Sequence, residues 1–395
     1  MAFAEAQRFM ADQRIDGWLV FDFRNNNPLT ARLLGKKLHL TRRVWWLLPQ
    51  SGQPTVLCSV IDESSFVAAG IPVTTYVGWA DMQVKVAGLL SKIGRRVAME
   101  YSPGGALPTA GVVDAGTIEF VRSLGVEVVS SADVVQLYAA AWREAGLSAH
   151  KKASELTHQV MKDAWGYLGA ELKKGPGGVQ ERAVQKFITD RFDAQGLQYP
   201  DDPIVSVNAN SGSPHYGPDE THSSLIKAGD WVLIDLWARI PGDEHVYSDI
   251  TWTGFAGPRE KVPAEHLKVF NTVRDARNAS VIAAQKAWKA GQTAEGWQLD
   301  EAARAVIIGA GYGQFIKHRT GHSLSPGQMV HGIGMNLDNL ETRDTRRMMP
   351  GTGFTVEPGI YTPAFGVRNE INVYVDPASG PVVTSCVQDE PWCTG

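Results

Sequence analysis

Short apolar runs and helix-like periodic stretches alternate along the first ~140 residues, a pattern that is typical of a small α/β unit. Each run holds four or five mostly apolar residues, and turn sequences such as PQSGQP separate neighbouring runs. The predicted strands are Gly17–Phe21, Val44–Leu48, Thr55–Cys58, Arg96–Met99 and Val126–Val129.

The pattern changes near residue 145, where an Ala-rich, charged stretch (YAAAWREAGLSAHKKASE) leads into a long predicted helix. That helix is predicted to end at about Lys174, because the glycines of GPGG at 175–178 stop it. Strand-rich sequence follows, with further predicted helices at 179–195, 263–290 and 295–311. We therefore expect an α+β protein of two domains, a smaller α/β domain over residues 1–145 and a larger one over residues 146–395.

Composition and charge exclude several classes of function. A formal net charge of −4 over 395 residues offers no basic surface for nucleic acid. No apolar run approaches the ~20 residues that a membrane-spanning helix needs. The three cysteines, Cys58, Cys386 and Cys393, lack the spacing of a zinc site or a disulfide framework. We expect a protein of the reducing cytoplasm, with neither nucleic acid nor membrane as a partner.

Two aspartates lie inside apolar strand sequence in the stretch VLIDLWARIPGDEHVYSDITW. Burying an isolated carboxylate costs several kcal/mol unless a partner compensates its charge. The midpoint between Asp235 and Asp249 is Gly242, which lies in the turn sequence IPGD. A hairpin that is symmetric about Gly242 would make the two aspartates direct cross-strand neighbours, with Cβ atoms ~5 Å apart.

A second acidic pair has the same arrangement near the C-terminus. Glu357 in FTVEPGIYTP and Glu370 in GVRNEINVYV have their midpoint between Pro363 and Ala364, in the turn sequence TPAFG. Each acid alone could meet an arginine or a lysine. Four buried carboxylates together must share protons or neutralise a cation, and hard divalent ions accept carboxylate oxygens. The two pairs therefore predict a metal site.

Histidine is the remaining ligand type that a site for a borderline metal needs. The stretch HRTGHSLSPGQMVHG carries His318, His322 and His331, and it has little core character. His215 lies in a polar loop that follows a predicted strand, where binding residues tend to occur. We expect the other histidines to be solvated: His39, His150, His158, His222, His245 and His266.

In this order, five residues resemble the metal ligands of the pita-bread metallopeptidases, which include methionine aminopeptidase, aminopeptidase P and prolidase: Asp235, Asp249, His322, Glu357 and Glu370. The motifs that carry the resemblance are SDIT (248–251), HRTGH (318–322), EPGIY (357–361) and GVRNE (366–370). It covers roughly residues 150–385 by motif. The preceding ~140 residues look like the smaller domain that prolidases, aminopeptidase P and creatinase place ahead of their catalytic domain.

The resemblance implies two divalent ions per chain and a metal-bridging hydroxide that attacks the scissile carbonyl. Asp235 would bind one ion, Asp249 and Glu370 would bridge both, and His322 and Glu357 would bind the other. Manganese is the metal we expect, with cobalt, zinc and iron as alternatives, because oxygen-rich sites with one histidine accept all four.

Four residues receive further roles from the same resemblance. Glu357 is expected to shuttle a proton to the leaving nitrogen, and His331 to support the tetrahedral intermediate. His215 is expected to contact the substrate at the scissile bond. Arg368 is placed like an arginine whose planar fork suits a carboxylate or peptide anchor, and its alternative role is that of an ion partner for Glu370 or Glu357.

The implied function is hydrolysis of Xaa-Pro dipeptides by a cytoplasmic homodimer. The alternatives are aminopeptidase P-like removal of the first residue from longer Xaa-Pro peptides, a creatinase-type hydrolase without metal, and a non-catalytic pita-bread binding protein. The complete ligand set disfavours the last two. Candidates for a proline pocket are Tyr216, Trp252 and Phe365, and the residue preferred before proline stays open.

Several positions depart from the family pattern. The two aspartates are fourteen residues apart rather than eleven, and His331 lies nine residues after His322 rather than seven. Trp237 stands where a glycine is usual, and Trp252 where an arginine is common. None of these departures removes a ligand, but they leave the shape of the substrate pocket open.

Overall fold

The computed structural model describes residues 2–395, which form two compact units that divide after Ala139. The predicted domain boundary near residue 145 lies at the beginning of the first long helix of the second unit, Glu144–Leu172. Within residues 2–395, no helix has both the length and the apolar character that crossing a bilayer requires.

The N-terminal unit is built on one six-stranded sheet. Its strands are β1 (Gly17–Phe23), β2 (Arg43–Pro49), β3 (Thr55–Ser59), β4 (Val73–Tyr76), β5 (Arg96–Met99) and β6 (Glu127–Ser130), in the order β4-β3-β2-β1-β5-β6. Strand β2 runs antiparallel to both neighbours, and the other neighbouring pairs are parallel. All five strands predicted for this unit are present.

The helices of this unit are α1 (Ala2–Asp12), α2 (Pro28–Leu34), α3 (Glu63–Ala68), α4 (Trp79–Leu90), α5 (Ala115–Ser123) and α6 (Ala132–Val135). Because side chains alternate along a strand, Phe21 and its partner Trp45 face the same side of the sheet. They share a core with Val86 of α4 and Val121 of α5, so that these two helices cover that face.

The C-terminal unit contains four long helices: α7 (Glu144–Leu172), α8 (Glu181–Ala194), α9 (Ala264–Lys289) and α10 (Gly296–Gly309). Their predicted ends agree with the structure to within two residues. Buried residues of α7 recur at helical spacing, including Val160, Ala164 and Leu168, which form one apolar stripe. The stripe packs in one core with Ile234 and Ile250 of the strands that carry the aspartates.

The strands of this unit are β7 (Val179–Gln180), β8 (Ile204–Val207), β9 (Leu225–Ile226), β10 (Trp231–Ala238), β11 (Ser248–Phe255), β12 (Ser323–Leu324), β13 (Gly353–Val356), β14 (Gly359–Tyr361), β15 (Gly366–Arg368), β16 (Ile371–Asp376), β17 (Gly380–Val383) and β18 (Trp392–Cys393). Two sheets have four strands, in the orders β18-β11-β10-β8 and β12-β13-β16-β17. The pairs β14-β15 and β7-β9 stand apart from them.

The β10–β11 hairpin is centred on Asp243, so the predicted direct pairing of the two aspartates is wrong. Asp235 lies opposite Thr251, and Asp249 lies opposite Trp237. The turn is closed by a hydrogen bond from the His245 N–H to the carbonyl of Gly242 (3.2 Å), which puts the centre of the turn beyond the glycine. When the centre of the hairpin moves by one residue, the residue opposite each aspartate changes by two positions. Because side chains alternate along a strand, the two aspartates still face the same side, as diagonal neighbours.

The second hairpin has the predicted centre. The β14–β15 pair and the β13–β16 pair are both symmetric about the bond between Pro363 and Ala364. Glu357 and Glu370 occupy opposing positions in the gap between these two ladders. Each hairpin therefore presents two acids from adjacent strands.

Candidate metal centre

Three buried side chains from distant parts of the chain meet at one point. One potential ligand atom from each of Asp249, His322 and Glu370 lies within 4.8 Å of the other two. His322 Nε2 is 3.4 Å from Asp249 Oδ2 and also 3.4 Å from Glu357 Oε1, so the fourth side chain reaches the same histidine. The structure thus gathers four of the five predicted ligands, with three carboxylates around the imidazole ring of His322.

Strand alternation explains why Asp249 faces this point. Along β11, Asp249 and Thr251 point to one side, while Ile250 and Trp252 point to the core beneath α7. The Thr251 hydroxyl donates to Glu370 Oε2 (2.8 Å), and the Glu370 N–H donates to the carbonyl of Thr251 (3.2 Å). These two bonds join the first hairpin to the second.

Asp235, the fifth predicted ligand, is buried on β10 and accepts a hydrogen bond from Arg368 Nη2 through its Oδ2 atom. Its other oxygen, Oδ1, is buried without a hydrogen-bond partner among residues 2–395, and the same holds for Glu370 Oε1. Buried carboxylate oxygens nearly always have a partner, and hard divalent cations bind such oxygens. These two atoms therefore fit the donor set of a divalent metal.

Burial and mutual repulsion raise the pKa of three of the acids. Burial, with the charges of Asp249 and Glu357, raises the pKa of Asp235 to about 7 although Arg368 opposes the shift. Burial also raises the pKa values of Asp249 and Glu370 well above the ordinary range, and neighbouring carboxylates add to both shifts. A cation that replaced the protons on these groups would relieve the repulsion.

Glu357 behaves differently from the other acids. Burial raises its pKa, but the nearby His322, His318 and Arg368 outweigh burial, so that its pKa lies below the usual value. The Thr355 hydroxyl donates to Glu357 Oε1 (3.0 Å) and holds the carboxylate in place. Glu357 is thus the acid of the cluster that most readily stays ionised.

Two histidine rings lie against each other at the centre, with centroids of His322 and His331 4.0 Å apart and their planes tilted by 36°. Nδ1 of His322 lies 3.1 Å from the carbonyl of Ser323, an arrangement that requires a proton on Nδ1 and leaves the Nε2 lone pair facing the carboxylates. Repulsion from His322, whenever that ring gains a second proton, and burial together lower the pKa of His331 to about 4. His331 is therefore a neutral imidazole at physiological pH.

His215 lies in the exposed part of the segment 208–224. Its electrostatic effect on His331 is a minor contribution to the lowered pKa of that residue. Arg368 is buried, and its three nitrogens contact Thr251 Oγ1 (3.0 Å), Tyr361 Oη (3.1 Å) and Asp235. Its ion partner is thus Asp235 rather than either glutamate.

Three polar residues of the centre were not predicted as site residues. Tyr361 is buried, and its hydroxyl lies 2.6 Å from His318 Nε2 while it accepts the bond from Arg368. Thr251 and Thr355 each bind a predicted ligand. The two threonines could have been predicted from the alternation of side chains along a strand. Each lies two residues from a predicted ligand, on the same strand or at its end, and therefore faces the same side.

Some predictions outside the ligand set are wrong. Trp252 stacks on Trp392 (5.6 Å between centroids) in the core under α7, and Phe365 stacks on His266 (3.8 Å) in another core. Neither is a proline-pocket residue. His150, predicted to be solvated, is fully buried between the carbonyl of Tyr247 and the hydroxyl of Thr384, each 2.8 Å away.

The two longer-than-usual segments of the sequence contact each other. The buried Arg239 donates through Nη1 to the carbonyl of Gly242 (2.9 Å) in the hairpin loop and to that of Gly327 (2.6 Å) between His322 and His331. The Tyr247 hydroxyl donates to the carbonyl of Gln328 (3.2 Å) as a second link. One guanidinium thus joins both segments.

Comparison with known families agrees with this arrangement. The model of metallopeptidase family M24 matches residues 148–377, more than half of the chain. The chain belongs to family M24.

Among curated M24 relatives, a putative dipeptidase, YkvY of Bacillus subtilis, is 30% identical over 221 residues, which are 56% of this chain and 54% of the relative. An Xaa-Pro dipeptidase of Lactobacillus delbrueckii subsp. lactis is 33% identical over 197 residues, 49% of this chain and 48% of the relative. The aligned part therefore spans roughly half the length of these relatives.

Solved structures with the M24 fold resemble the whole chain. Dipeptidase PepE of Mycobacterium ulcerans has a TM-score of 0.68 at 23% identity and covers 100% of this chain and 97% of its own. A prolidase of Thermococcus sibiricus has a TM-score of 0.59 at 22% identity, with 99% and 98% covered. An X-prolyl aminopeptidase of Caenorhabditis elegans, described as a cytosolic enzyme with a di-nuclear active site, has a TM-score of 0.61 at 16% identity, with 98% and 62% covered. These likenesses confirm the predicted pita-bread fold behind a smaller N-terminal α/β domain.

Proposed function

We propose that this protein is a metal-dependent peptidase that hydrolyses Xaa-Pro dipeptides. The observation that carries the proposal is the convergence of buried acids on one histidine, with two carboxylate oxygens that lack a hydrogen-bond partner in the part of the chain that the structure describes. Membership of family M24 supports the reaction class, and relatives named dipeptidase or Xaa-Pro dipeptidase support the substrate class.

The residues that would hold two divalent ions are Asp235, Asp249, His322, Glu357 and Glu370. Bound there, the ions would supply an activated water for attack on the scissile carbonyl and positive charge for the developing oxyanion. Manganese is the metal we propose. The description of the Caenorhabditis elegans relative as di-nuclear supports the number of ions.

The chain's own residues would handle the proton and the substrate. Glu357, which is ionised and held by Thr355, would accept the proton of the attacking water and transfer it to the leaving proline nitrogen. His331, as a neutral imidazole, would donate a hydrogen bond to the oxygen of the tetrahedral intermediate. His215 would contact the substrate from the exposed side of the centre.

Arg368 has a different role in this proposal from the one that its position in the motif implies. Its guanidinium already binds Asp235, Thr251 and Tyr361, and it is buried. We infer that it orients the Asp235 carboxylate. Anchoring a substrate carboxylate would require it to give up one of these three contacts.

Cleavage of longer Xaa-Pro peptides is the second candidate, because a putative Xaa-Pro aminopeptidase of Mycoplasma pneumoniae is 29% identical over 205 residues. A non-catalytic binding protein is disfavoured, since the complete predicted ligand set is present. We further propose a cytoplasmic homodimer; the cytosolic location described for the Caenorhabditis elegans relative supports the compartment.

A substrate and metal panel tests the proposal. Purified protein would be assayed on Ala-Pro, Ala-Pro-Ala and Ala-Ala, after chelation and after addition of manganese, cobalt or zinc. We expect turnover of Ala-Pro that is abolished by chelation and restored by manganese. Preference for Ala-Pro-Ala would favour the aminopeptidase, and no cleavage with any metal would reject both peptidase candidates.

A further inference from the structure

The carboxylate of Glu181 is a hub of hydrogen bonds outside the metal centre. Glu181 is the first residue of α8 and is 0% exposed. Its Oε1 accepts from the N–H of Val207 (2.7 Å) and from Asn210 Nδ2 (3.0 Å). Its Oε2 accepts from the hydroxyl of Tyr216 (2.5 Å) and the N–H of Ser224 (2.7 Å). All four lone-pair positions of the carboxylate are therefore used.

The four donors are spread along the segment that carries His215. Val207 ends β8, Asn210 lies in the following turn, Tyr216 is the neighbour of His215, and Ser224 precedes β9. The segment 208–224 contains one short 3-10 turn and is otherwise irregular. A single buried carboxylate thus binds both ends and the middle of a seventeen-residue irregular segment.

The two halves of this segment are held in different ways. Residues 208–212 rest on the second hairpin, because Ser211 Oγ accepts from the Gly366 N–H (2.8 Å). Lys317, which lies outside that hairpin, adds a bond from its Nζ to the carbonyl of Gly212 (2.6 Å). Beyond residue 212, the segment is anchored next to His215 by the hydrogen bond from the Tyr216 hydroxyl to the buried Glu181 carboxylate. The position of the His215 backbone therefore depends on Glu181.

We propose that Glu181 is a positioning residue that holds the segment carrying His215, the residue proposed to contact the substrate. This inference rests on the proposed function, in which His215 contacts the substrate. Glu181 itself touches neither substrate nor metal ligands and acts through Tyr216.

The chemistry of the hub explains why a carboxylate is needed. All four donors are neutral, and the N-terminus of α8 stabilises the negative charge of a residue in its first turn. In Glu181→Gln, one oxygen becomes an NH2 group that faces two donors. At least one backbone N–H would then lose its acceptor, and the segment would shift. Tyr216→Phe is the milder change, since it removes one hydroxyl and leaves the three other bonds.

The experiment compares Tyr216→Phe and Glu181→Gln with two matched controls. Tyr199→Phe removes another hydroxyl that donates to a carboxylate, that of Asp193 (3.1 Å), and neither residue belongs to the segment 208–224 or binds Glu181. Glu220→Gln changes an exposed glutamate within the segment, whose partner is Arg182. We expect kcat/KM on Ala-Pro to fall about tenfold in Tyr216→Phe and more in Glu181→Gln, since small displacements of a substrate-contacting group have effects of this order or larger. The controls should stay within about twofold, the range of surface substitutions.

A mutant cycle with His215→Ala separates positioning from general structural damage. If Glu181 acts through His215, Tyr216→Phe should change kcat/KM less than about twofold in the His215→Ala background. An equal loss in both backgrounds would overturn the proposal.

A second readout does not depend on activity. Modification of His215 by diethyl pyrocarbonate, followed by mass spectrometry, should change in rate in Tyr216→Phe but not in Tyr199→Phe. If the wild-type protein cleaves no Xaa-Pro substrate, the proposed function fails while this rate still tests the positioning. An unchanged rate would reject the positioning of His215 by Glu181.

Discussion

Arg368 and Asp235 form a buried ion pair at the centre of the fold, with only 5% and 9% of their side chains exposed. The pair joins the β14–β15 hairpin to β10, and Arg368 Nε extends the link to Thr251 of β11. Breaking a buried pair on one side leaves an uncompensated charge in a low-dielectric environment. This relationship gives the first prediction.

We expect Arg368→Met to lower the free energy of unfolding of the metal-free protein by about 3–5 kcal/mol at a pH above the Asp235 pKa of about 7, because the ionised Asp235 loses its partner. Arg259→Met breaks an exposed pair with Glu390 and serves as the control, with an expected loss below about 1 kcal/mol. Urea-induced unfolding of the wild-type protein and of both variants measures these changes in the free energy of unfolding. Equal losses would show that the Arg368–Asp235 pair contributes no more than a surface pair.

The raised carboxyl pKa values predict a pH-dependent stability in the absence of metal. Burial raises the pKa of Asp235 from 3.8 to about 7, so between these values the folded protein keeps a proton that the unfolded chain has released. Stability then falls as pH rises through this window, by up to ~1.4 kcal/mol per pH unit for each such proton. Asp249 and Glu370 extend the effect in the same direction.

A bound cation would replace these protons, so the rise in Tm on adding manganese should grow from pH 5 to pH 7.5. Thermal unfolding at each pH, with manganese and with chelator, measures this rise in Tm. Asp235→Asn should reduce the fall in metal-free stability, while Asp243→Asn, in the exposed hairpin loop, is the matched control. A stability of the metal-free protein that rises steadily across this window would contradict the prediction.

The two histidines whose rings lie in contact, His322 and His331, should differ in their effect on metal binding. His322 lies in the cluster of potential ligands, so His322→Gln should lower the bound metal and the activity together. His331 lies against its ring but outside that cluster, so His331→Gln should keep its metal and lose roughly 100-fold in kcat/KM. Metal analysis beside steady-state kinetics distinguishes the two, and loss of metal in both variants would argue against the separate role of His331.

Two threonines on β11 offer a matched test of the link between the hairpins. Thr251→Val removes the hydroxyl that binds both Glu370 and Arg368, and should cost about 1–3 kcal/mol of stability and lower activity. The hydroxyl of Thr253, two residues on, is buried and has no hydrogen-bond partner among the described residues, so Thr253→Val should be neutral or stabilising. Similar losses in the two variants would show that the hydroxyl link is unimportant.

The candidate ligands were predictable because a buried acid in strand sequence has few explanations. Asp235 and Asp249 each interrupt an apolar run, and the centre of the second hairpin followed from the positions of Glu357 and Glu370 alone. The register of the first hairpin was not predictable to the residue. Its loop is long, and a turn closed between Gly242 and His245 moves its centre by one position.

Contacts between distant residues were harder to predict. The burial of His150 depends on Tyr247 and Thr384, which are 97 and 234 residues away in the chain. The hub at Glu181 likewise draws its donors from positions 26 to 43 residues further on. By contrast, the sequence alone could have excluded Trp252 from the proline pocket. A residue three positions from Asp249 on the same strand faces the opposite side of the sheet.

The shared guanidinium of Arg239 ties the lengths of two loops together. A deletion in the hairpin loop alone would take away the carbonyl of Gly242 or displace it, and a deletion before His331 would do the same to that of Gly327, leaving a buried cation short of acceptors in either case. Swapping one of these loops for the shorter version of a relative should therefore lower Tm, and exchanging both at once, with Arg239 replaced, should lower it by less than the two single swaps combined. A chimera designed from a sequence alignment would have to take both loops from the same parent protein.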